Sequence, residues 1–463
     1  MGLASCFLAT PASAEVTIVK KDTWEVYFAG RVSALFSYAT GDAYPPKPAM
    51  GAIIGGGGID EGVEGGNERG KDTIPALGAD GMPDPNQQGT IGRMRVRSGV
   101  LPNIFTLGMR KKLAQGMTLK AQASIWATIE PGFYGQFGTG GYPPRSSGRD
   151  MGADADFREG YLELDAPWGA VRAGRFLSPF ARANTELMLA NGLRYGVGVP
   201  VGLMSSAEYP TGATWTLASG PTGGMAGYGI LGASHSAGVQ YTTPSLVGGL
   251  KIAAGLFEPV ALKGFEVART QTPRVEAEAV YDLDTAGFKA KLFGSSGYQS
   301  LHRDTQSVSV YGFAYGGRVE VGPVRLGASG HSGKGVGLLY GFDASPTSYR
   351  ASVKAMDPVT GAVVVVSPAE LRSFQGYSVF LQVPAGPVDL NAAYGRTQVP
   401  RLDVDKTSVD SVLKTQTSIV ASVVYHTTEN LHLTAEFVNA AIHWWGGQKQ
   451  SVNFINAGAT FTF

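Results

Sequence analysis

Apolar and polar residues alternate with a period of two along most of the chain. Between positions 24 and 39 the even positions carry Trp, Val, Phe, Ala and Tyr, whereas the odd positions include Glu25, Arg31 and Ser33. This period is that of a β-strand with one apolar and one polar face. The pattern predicts sixteen strands, at about 24–39, 103–113, 117–129, 156–165, 169–176, 236–243, 248–257, 273–282, 287–296, 307–321, 324–333, 373–383, 388–397, 416–426, 431–440 and 451–463.

Short and long connections alternate between these predicted strands. Seven are short and carry the Gly, Pro, Asn and Asp residues that tight hairpins require. The eight others are longer, at about 40–102, 130–155, 177–235, 258–272, 297–306, 334–372, 398–415 and 441–450. Short turns at one end and long loops at the other are typical of outer-membrane barrels. We therefore predict an all-β fold, a 16-stranded antiparallel transmembrane β-barrel with short periplasmic turns and long extracellular loops.

The composition narrows the function classes. Of 463 residues, 65 are Gly, only 16% are charged, and the mean hydropathy is −0.00. No run of about 18 apolar residues predicts a transmembrane helix. The formal net charge of +1 lacks the basic excess of nucleic-acid-binding proteins. Sixteen strands enclose an aqueous lumen, so we expect polar inner faces against water and apolar outer faces against lipid.

Both ends of the chain carry features of an exported protein. Residues 1–14 are predicted to be the remnant of a signal peptide, with Ala12-Ser13-Ala14 as its cleavage site. Residues 15–463 then form a single barrel domain, without Cys6, the one cysteine of the chain. The last strand alternates up to Phe463 and resembles the signal that the outer-membrane assembly machinery reads. We expect that machinery, membrane lipid and lipopolysaccharide to be partners of the protein.

Several motifs, in the right order, resemble those of the general Gram-negative porins. Tyr27-Phe28-Ala29-Gly30-Arg31-Val32 is similar to the first strand of these porins. The stretch from Arg158 through Trp168 to Arg175 resembles the hairpin that leads into their third loop. The resemblance implies a homotrimeric outer-membrane porin, in which small hydrophilic solutes and ions cross by passive diffusion. It implies neither a reaction nor a cofactor.

The resemblance also implies a constriction formed by a third loop, at about 177–212, that folds into the lumen. Charged residues of the wall and of this loop are the candidate constriction residues: Arg31, Lys120, Arg158, Arg172, Arg175, Arg182, Glu186 and Arg194. Glu186 is the one acid of the loop up to residue 207, so the constriction is predicted to be net positive and to prefer anions. The alternatives are a substrate-selective channel for an anion or a sugar, an adhesin, and a barrel enzyme.

Other motifs carry less weight. Residues 227–232 match Gly-x-Gly-x-x-Gly, but no helix is predicted to follow, so we expect no dinucleotide site. The acids between Asp150 and Glu159 lack the spacing of an EF-hand, and a surface acidic patch is favoured over a Ca²⁺ site. The six histidines lack zinc-binding spacing, so no metal site is predicted.

Overall fold

The computed structural model describes residues 15–43, 45–46, 53–54, 73–74, 76–84, 86–127, 129, 155–199, 224–259, 272–303, 306–336, 349–350, 353–356, 363–367, 370–407 and 411–463. In chain order the strands are β1 Glu15–Lys21, β2 Trp24–Asp42, β3 Ile53–Ile54, β4 Thr73–Ile74, β5 Thr90–Arg97, β6 Asn103–Lys112, β7 Thr118–Ala127, β8 Ala155–Ala166, β9 Gly169–Leu177, β10 His235–Thr242, β11 Leu250–Phe257, β12 Arg274–Thr285, β13 Phe288–Arg303, β14 Gln306–Val321, β15 Val324–Lys334, β16 Tyr349–Arg350, β17 Val353–Met356, β18 Val363–Ser367, β19 Glu370–Leu371, β20 Ser373–Ala385, β21 Val388–Gln398, β22 Ser411–His426, β23 Leu431–Trp444 and β24 Lys449–Thr462. The described part contains the α-helix α1, Arg182–Ala190, and 3-10 turns at Ala114–Gly116, Leu193–Tyr195, Val247–Gly249 and Val404–Lys406.

Sixteen strands form a closed antiparallel ring, which confirms the predicted fold class. The ring runs from β2 through β6–β15 and β20–β24, each strand paired with the next along the chain. It closes where β24 pairs with β2, from Arg31 opposite Thr462 to Gly41 opposite Val452. Strand β1 pairs with the start of β2, below the end of β24, and so continues the edge that β24 leaves. We call the end with the connections near 113–117 and 427–430 the turn end, and the opposite end the loop end.

One strand that the sequence analysis left inside a loop belongs to the barrel wall. β5 pairs with the loop-end half of β2, and β6 pairs with its turn-end half. β5 and β6 therefore act as one strand that is interrupted at residues 98–102. In this break the backbone N–H of Ser33 donates to Asn103 Oδ1 at 2.7 Å instead of to a ladder carbonyl.

Two of the eight connections that we predicted to be long are short. β13 and β14 are separated by two residues, 304–305, and β23 and β24 by the four residues 445–448. The strand pairs continue to Arg303 opposite Gln306 and to His443 opposite Lys449, beyond the predicted strand ends. Polar residues in these extensions look like loop in the sequence, but they continue the hydrogen-bonded ladder. The seven short turns are confirmed.

The two faces of the strands differ as the alternation predicts on the outside of the barrel. Large apolar side chains on the outer face are exposed on strands all round the ring, among them Phe36, Leu162, Val379 and Ile455. This is the surface that a membrane-spanning barrel presents to lipid. In the described part of the chain no helix is long and apolar enough to span a bilayer.

The inner face is polar in only half of the barrel, so the expected polar lining is partly wrong. Inward positions of β23 near the turn end are His432, Thr434 and Glu436, which are buried polar residues. Toward the loop end the same face carries Val438, Ala440, Ile442 and Trp444. These apolar side chains join one buried cluster with residues of the 178–231 connection, including Leu187, Met188 and Ile230. Here protein covers the wall, so the alternation gives two apolar faces.

Candidate channel constriction

A stretch of the third long connection lies against the inside of the barrel. We call residues 178–199 the inner segment. It contacts inward-facing side chains or backbone of β12, β13, β15, β21 and β23 in turn. In the ring β12 and β23 are nearly opposite each other, so the inner segment spans the lumen along one wall. Of the predicted loop 177–212, residues 200–212 lie outside the described part.

Acidic wall residues hold the first end of the inner segment. The backbone N–H groups of Phe180 and Ala183 donate to Glu276 at 2.9 Å and to Glu278 at 3.1 Å. Ala183 is in the first turn of α1, where amides lack partners within the helix and carry a partial positive charge, so the Glu278 carboxylate satisfies its amide. Glu276 satisfies the amide of Phe180, just before the helix. Arg182 Nε donates to the same Glu278 at 3.0 Å.

A third wall carboxylate holds the other end. The N–H groups of Val197 and Gly198 donate to Glu436 Oε2 at 2.9 and 3.0 Å, and Asn456 Nδ2 donates to the same oxygen at 2.8 Å. A Cβ on Gly196 would come 2.0 Å from Glu436 Oε1, so a larger residue at this position would require the carboxylate to shift. The carboxylates on β12 and β23 therefore fix both ends of the inner segment.

Three predicted basic residues lie on the inner faces of β7–β9, and two of them, Lys120 and Arg158, are buried. Arg172 forms an ion pair with Glu163, with its Nε 2.5 Å from Oε2, and lies 4.6 Å from the centre of the Tyr161 ring. Lys120 Nζ lies 5.7 Å from the same ring. The guanidinium carbon of Arg158 lies 4.6 Å from the centre of the Trp126 ring. β7–β9 thus present a row of cations and aromatic rings on their inner faces.

Two further predicted arginines meet at the inner segment. The guanidinium carbons of Arg31, from β2, and of Arg194 lie 6.0 and 5.9 Å from the centre of the Tyr195 ring. Arg31 donates to Thr460 Oγ1 at 3.4 Å, and Arg194 donates to the carbonyl oxygen of Leu189 at 3.0 Å. Within the described part neither arginine forms an ion pair with a carboxylate.

The two charged residues of α1 lie in a mixed cluster. Arg182 forms an ion pair with Glu278 and donates to Gln240 at 3.4 Å. Burial and the neighbouring Glu278 carboxylate raise the pKa of Glu186 to about 7, against the opposing effect of Arg182 and Lys291. A neutral Glu186 contributes no charge to the lumen, and its ionised form adds one negative charge beside the segment.

The register does not place Arg175 with the other candidates. Arg172 and Phe176 face the lumen, and Arg175 lies an odd number of positions from each, which places it on the opposite face. Arg175 pairs with Ala237, which shares its face of β10 with the exposed Val239. Its Nε donates to the carbonyl oxygen of Arg158 at 3.2 Å. The two-residue period therefore argues against a lumen position for Arg175.

Sequence reasoning missed the acidic half of this site. Glu163, Glu276, Glu278 and Glu436 all lie on inward faces, so the wall is not a basic surface opposed by one loop carboxylate. The alternation places these glutamates inside the barrel, as for Glu276 and Glu278 beside the exposed Val275. It does not indicate that their partners are backbone amides of a segment about 100 to 240 residues away in sequence.

No group of three His, Cys, Asp or Glu side chains suited to a metal ion occurs in the described part. Asp150 and Asp154 lie outside that part, and Glu159 accepts hydrogen bonds from Ser124 at 2.8 Å and Gln122 at 3.1 Å. The Gly-x-Gly-x-x-Gly stretch 227–232 forms a buried turn whose Gly229 N–H donates to Thr397 Oγ1 at 2.9 Å.

A closed sixteen-stranded barrel with lipid-type outer faces and a segment inside its lumen defines an outer-membrane channel protein. The family model of the Gram-negative porins matches residues 2–440 of the chain. The chain therefore belongs to the Gram-negative porin family, and its location is the bacterial outer membrane.

Solved structures agree with this assignment at the level of the fold. The outer membrane channel DcaP of Acinetobacter baumannii is similar with a TM-score of 0.61 and 12% identity, covering 97% of this chain and 100% of that one. The anion-selective porin from Comamonas acidovorans is similar with a TM-score of 0.53 and 13% identity, covering 95% and 100%. No curated protein matches the chain.

Proposed function

We propose that the channel lets small hydrophilic solutes and ions diffuse passively between the inner segment and the inner faces of β6–β10, with a preference for anions. The proposal takes the third loop to be the constriction. Its wall residues are Arg31, Lys120, Arg158 and Arg172, and its loop residues are Arg182, Glu186 and Arg194. One observation carries the anion preference: Arg31 and Arg194 have no carboxylate partner in the described part, whereas Arg172 and Arg182 each have one. Uncompensated cations in a narrow, low-dielectric passage attract anions.

The experiment is single-channel recording of the purified protein in planar bilayers. We expect stepwise increases of conductance in KCl. In a KCl gradient we expect a reversal potential whose sign shows selectivity for chloride over potassium. A potassium-selective reversal potential would contradict the anion preference, and the absence of conductance steps would contradict the channel itself. One of the similar structures is an anion-selective porin, but at 13% identity that likeness concerns the fold, so the preference rests on the charges.

The second candidate is a substrate-selective channel for an anion or a sugar. The row of Lys120, Arg158 and Arg172 beside Tyr161 and Trp126 favours it, because aromatic rings and cations are also the groups that bind sugars and carboxylates. A conductance that a particular solute blocks saturably would support this alternative.

We propose no reaction for the protein, and a chromogenic esterase assay tests that point. Loss of cell binding after loop trimming would reveal an adhesin.

We further propose that the protein assembles as a homotrimer through the outer faces of β2 and β6–β9. A shallow apolar groove of about 620 Å³ lies there, lined partly by Leu107, Ala121, Ala123 and Leu162. Small side chains allow close approach of a second apolar surface within a membrane. Chemical cross-linking is expected to give trimers for the wild type and to lose them for Ala121→Arg. Ala421→Arg, on the outer face of β22, is the matched control.

We propose the second long connection, 130–155, as the latch of the trimer, because that loop has this role in the porins that the sequence resembles. This loop, apart from residue 155, and the predicted signal remnant 1–14 lie outside the described residues. Both remain proposals, as do contacts with lipopolysaccharide and recognition of the Phe463-terminated strand by the assembly machinery. The barrel domain is proposed to comprise residues 15–463, and a mature N-terminus at Glu15 in mass spectrometry would support the proposed cleavage.

A further inference from the structure

Four basic side chains lie close to one aromatic ring of the inner segment, near the turn end. The Tyr195 ring lies between Arg31 and Arg194, and its centre is 4.4 Å from the ring of His432 and 6.0 Å from that of His426. We call these five residues the Tyr195 cluster. The His426 side chain is 30% exposed, so this edge of the cluster is open to water beside the 427–430 turn, whereas Arg31 and His432 are buried.

The positive charge of the cluster is only partly compensated. Arg31 is more than nine-tenths buried, and its Nε has no hydrogen-bond partner in the described part. The buried Nε2 of His432 likewise has none. Asp389, on β21, is the carboxylate that contacts the cluster, and it is shared between His426 at 3.1 Å and Gln382 at 3.0 Å.

One more cation lies near the cluster. Arg318, on β14, interacts electrostatically with Arg194 and with Asp389. Its own ion pair is with Glu320, at 3.2 Å. The groups that face the two histidines are therefore Arg31 from β2, Arg194 and Tyr195 from the inner segment, and Asp389 from β21, with Arg318 behind them.

The hydrogen bonds fix the tautomers of the two histidines. A carboxylate only accepts, so the contact with Asp389 places a proton on His426 Nε2. A neutral His426 then has a bare Nδ1, which accepts from the Nδ1–H of His432, 2.8 Å away. A neutral His432 with its proton on Nδ1 has a bare Nε2. The neutral pair therefore offers no N–H from Nε2 of His432.

Uptake of one proton reverses that arrangement. The proton on His432 Nδ1 passes to His426 Nδ1, so that His426 donates from both nitrogens, to Asp389 and to His432. The incoming proton binds Nε2 of His432. The pair gains one positive charge, and His432 Nε2 changes from a lone pair to an N–H donor.

We propose that the Tyr195 cluster is a binding subsite for small oxyanions, and that protonation of the His426–His432 pair strengthens it. The class comprises sulfate, phosphate and carboxylate groups, whose oxygens accept hydrogen bonds from guanidinium and imidazolium donors. The inference rests on the proposed function, because the oxyanion reaches the cluster through the lumen.

Potassium sulfate is the probe, since sulfate keeps its double charge across the pH range used. Sulfate added to channels in 0.1 M KCl is expected to reduce the chloride current saturably. Its half-blocking concentration is expected to be about tenfold lower at pH 5.5 than at pH 8.5, a factor equal to about 1.4 kcal/mol. A linear, unsaturable or pH-independent effect in channels that conduct normally would overturn the subsite and leave the proposed function intact.

Calorimetric titration of sulfate into the detergent-solubilised protein measures the same affinity without conductance. If the protein shows no conductance steps, the proposed function fails, and the titration still decides whether the subsite exists. Saturable binding that tightens on acidification supports it. The absence of binding at both pH values overturns it.

Three variants distinguish a local binding site from a general electrostatic attraction of anions into the lumen. Arg194→Gln is expected to weaken sulfate binding about tenfold at both pH values, within the range of a lost charge-assisted hydrogen bond. His432→Gln is expected to remove the pH dependence and to retain the block at pH 8.5. Arg325→Gln removes the same charge from an arginine that Glu320 already holds at 3.4 Å, and it should bind sulfate like the wild type. Equal weakening by Arg325→Gln and Arg194→Gln, or a pH dependence that survives His432→Gln, would overturn the proposal.

Discussion

The inner face of β23 has two halves that differ in what covers them. Near the turn end, His432, Thr434 and Glu436 are buried polar side chains, and Glu436 accepts hydrogen bonds from backbone amides of the inner segment. Near the loop end, Ile442 and Trp444 pack in an apolar cluster with the connection that follows β9. Both halves obey the same two-residue period. The comparison teaches that alternation fixes the direction of a side chain, whereas its partner inside the barrel fixes its polarity.

We expect the largest effect from a substitution in the apolar, loop-end half of the inner face of β23. Ile442→Ala removes a fully buried side chain from the cluster and is expected to destabilise the barrel by about 2–5 kcal/mol. Thr434→Ala, at an inward position of the same strand, is the matched control. Thr434 Oγ1 makes no hydrogen bond in the described part, so we expect a loss within about 1 kcal/mol. Denaturant unfolding in detergent measures both, and equal losses would contradict the distinction between the two halves.

The next effect concerns the carboxylate that holds the inner segment at the boundary of the two halves. Glu436→Ala leaves the Val197 and Gly198 amides without their acceptor, at a cost of about 1–3 kcal/mol for a buried unpaired group. We expect lower stability and a noisier open-channel current. Glu436→Gln retains an accepting oxygen and is expected to recover much of the wild-type behaviour. A quiet, stable Glu436→Ala channel would show that this anchor is not needed.

The same comparison shows how much of the structure can be predicted from the sequence. Residues such as Phe36 and Ser37 face lipid and lumen as their alternation predicts, so the fold class and the ring of strands are readable from the pattern. β5 was left in a loop because its arginines and Gly92 interrupt the apolar period. Two predicted long loops were wrong because polar residues there continue the ladder.

The candidate site was less predictable than the fold. The alternation places Arg31 and Arg172 on inward faces, but it cannot show that Arg172 is paired with Glu163 whereas Arg31 has no carboxylate partner in the described part. The Tyr195 cluster brings together β2, β22, β23 and the inner segment. These elements are far apart in sequence, and their contacts depend on ring closure and on the path of the segment.

A smaller effect is expected at the break between β5 and β6, where the wall contacts the inner segment. Gly99 has a φ of 85°, and a Cβ there would come 2.8 Å from the carbonyl oxygen of Gly196. Gly81 has a φ of 74° and nothing within 4 Å, so Gly81→Ala measures the backbone cost alone. We expect Gly81→Ala to cost about 1 kcal/mol and Gly99→Ala about 1 kcal/mol more. Equal unfolding midpoints for the two variants would contradict a tight contact with the segment.

The smallest effect is a change of selectivity without a change of fold. Glu186 is a half-buried residue of α1 that lies near Glu278 on the wall, and burial together with Glu278 raises its pKa from 4.5 to about 7. The carboxyl is therefore protonated below pH 7 and gains a negative charge above it. The raised pKa stabilises the folded state at low pH, and this contribution is lost as the pH rises from 4.5 through 7. We expect the chloride preference, measured as a reversal potential, to decrease by a few millivolts between pH 6 and pH 8.

Two variants test whether the Glu186 carboxyl is responsible for that decrease. Glu186→Gln keeps the neutral form at every pH and is expected to reduce the slope, leaving the part that protonation of the His426–His432 pair contributes. Asp403 is an open carboxyl outside the lumen, and the hydrogen bond from Lys406 lowers its pKa, so it stays ionised throughout this range. Asp403→Asn should therefore keep the wild-type slope. A slope that Glu186→Gln leaves unchanged would show that Glu186 contributes nothing and would assign the whole titration to other groups of the lumen, with the His426–His432 pair as the next to be replaced.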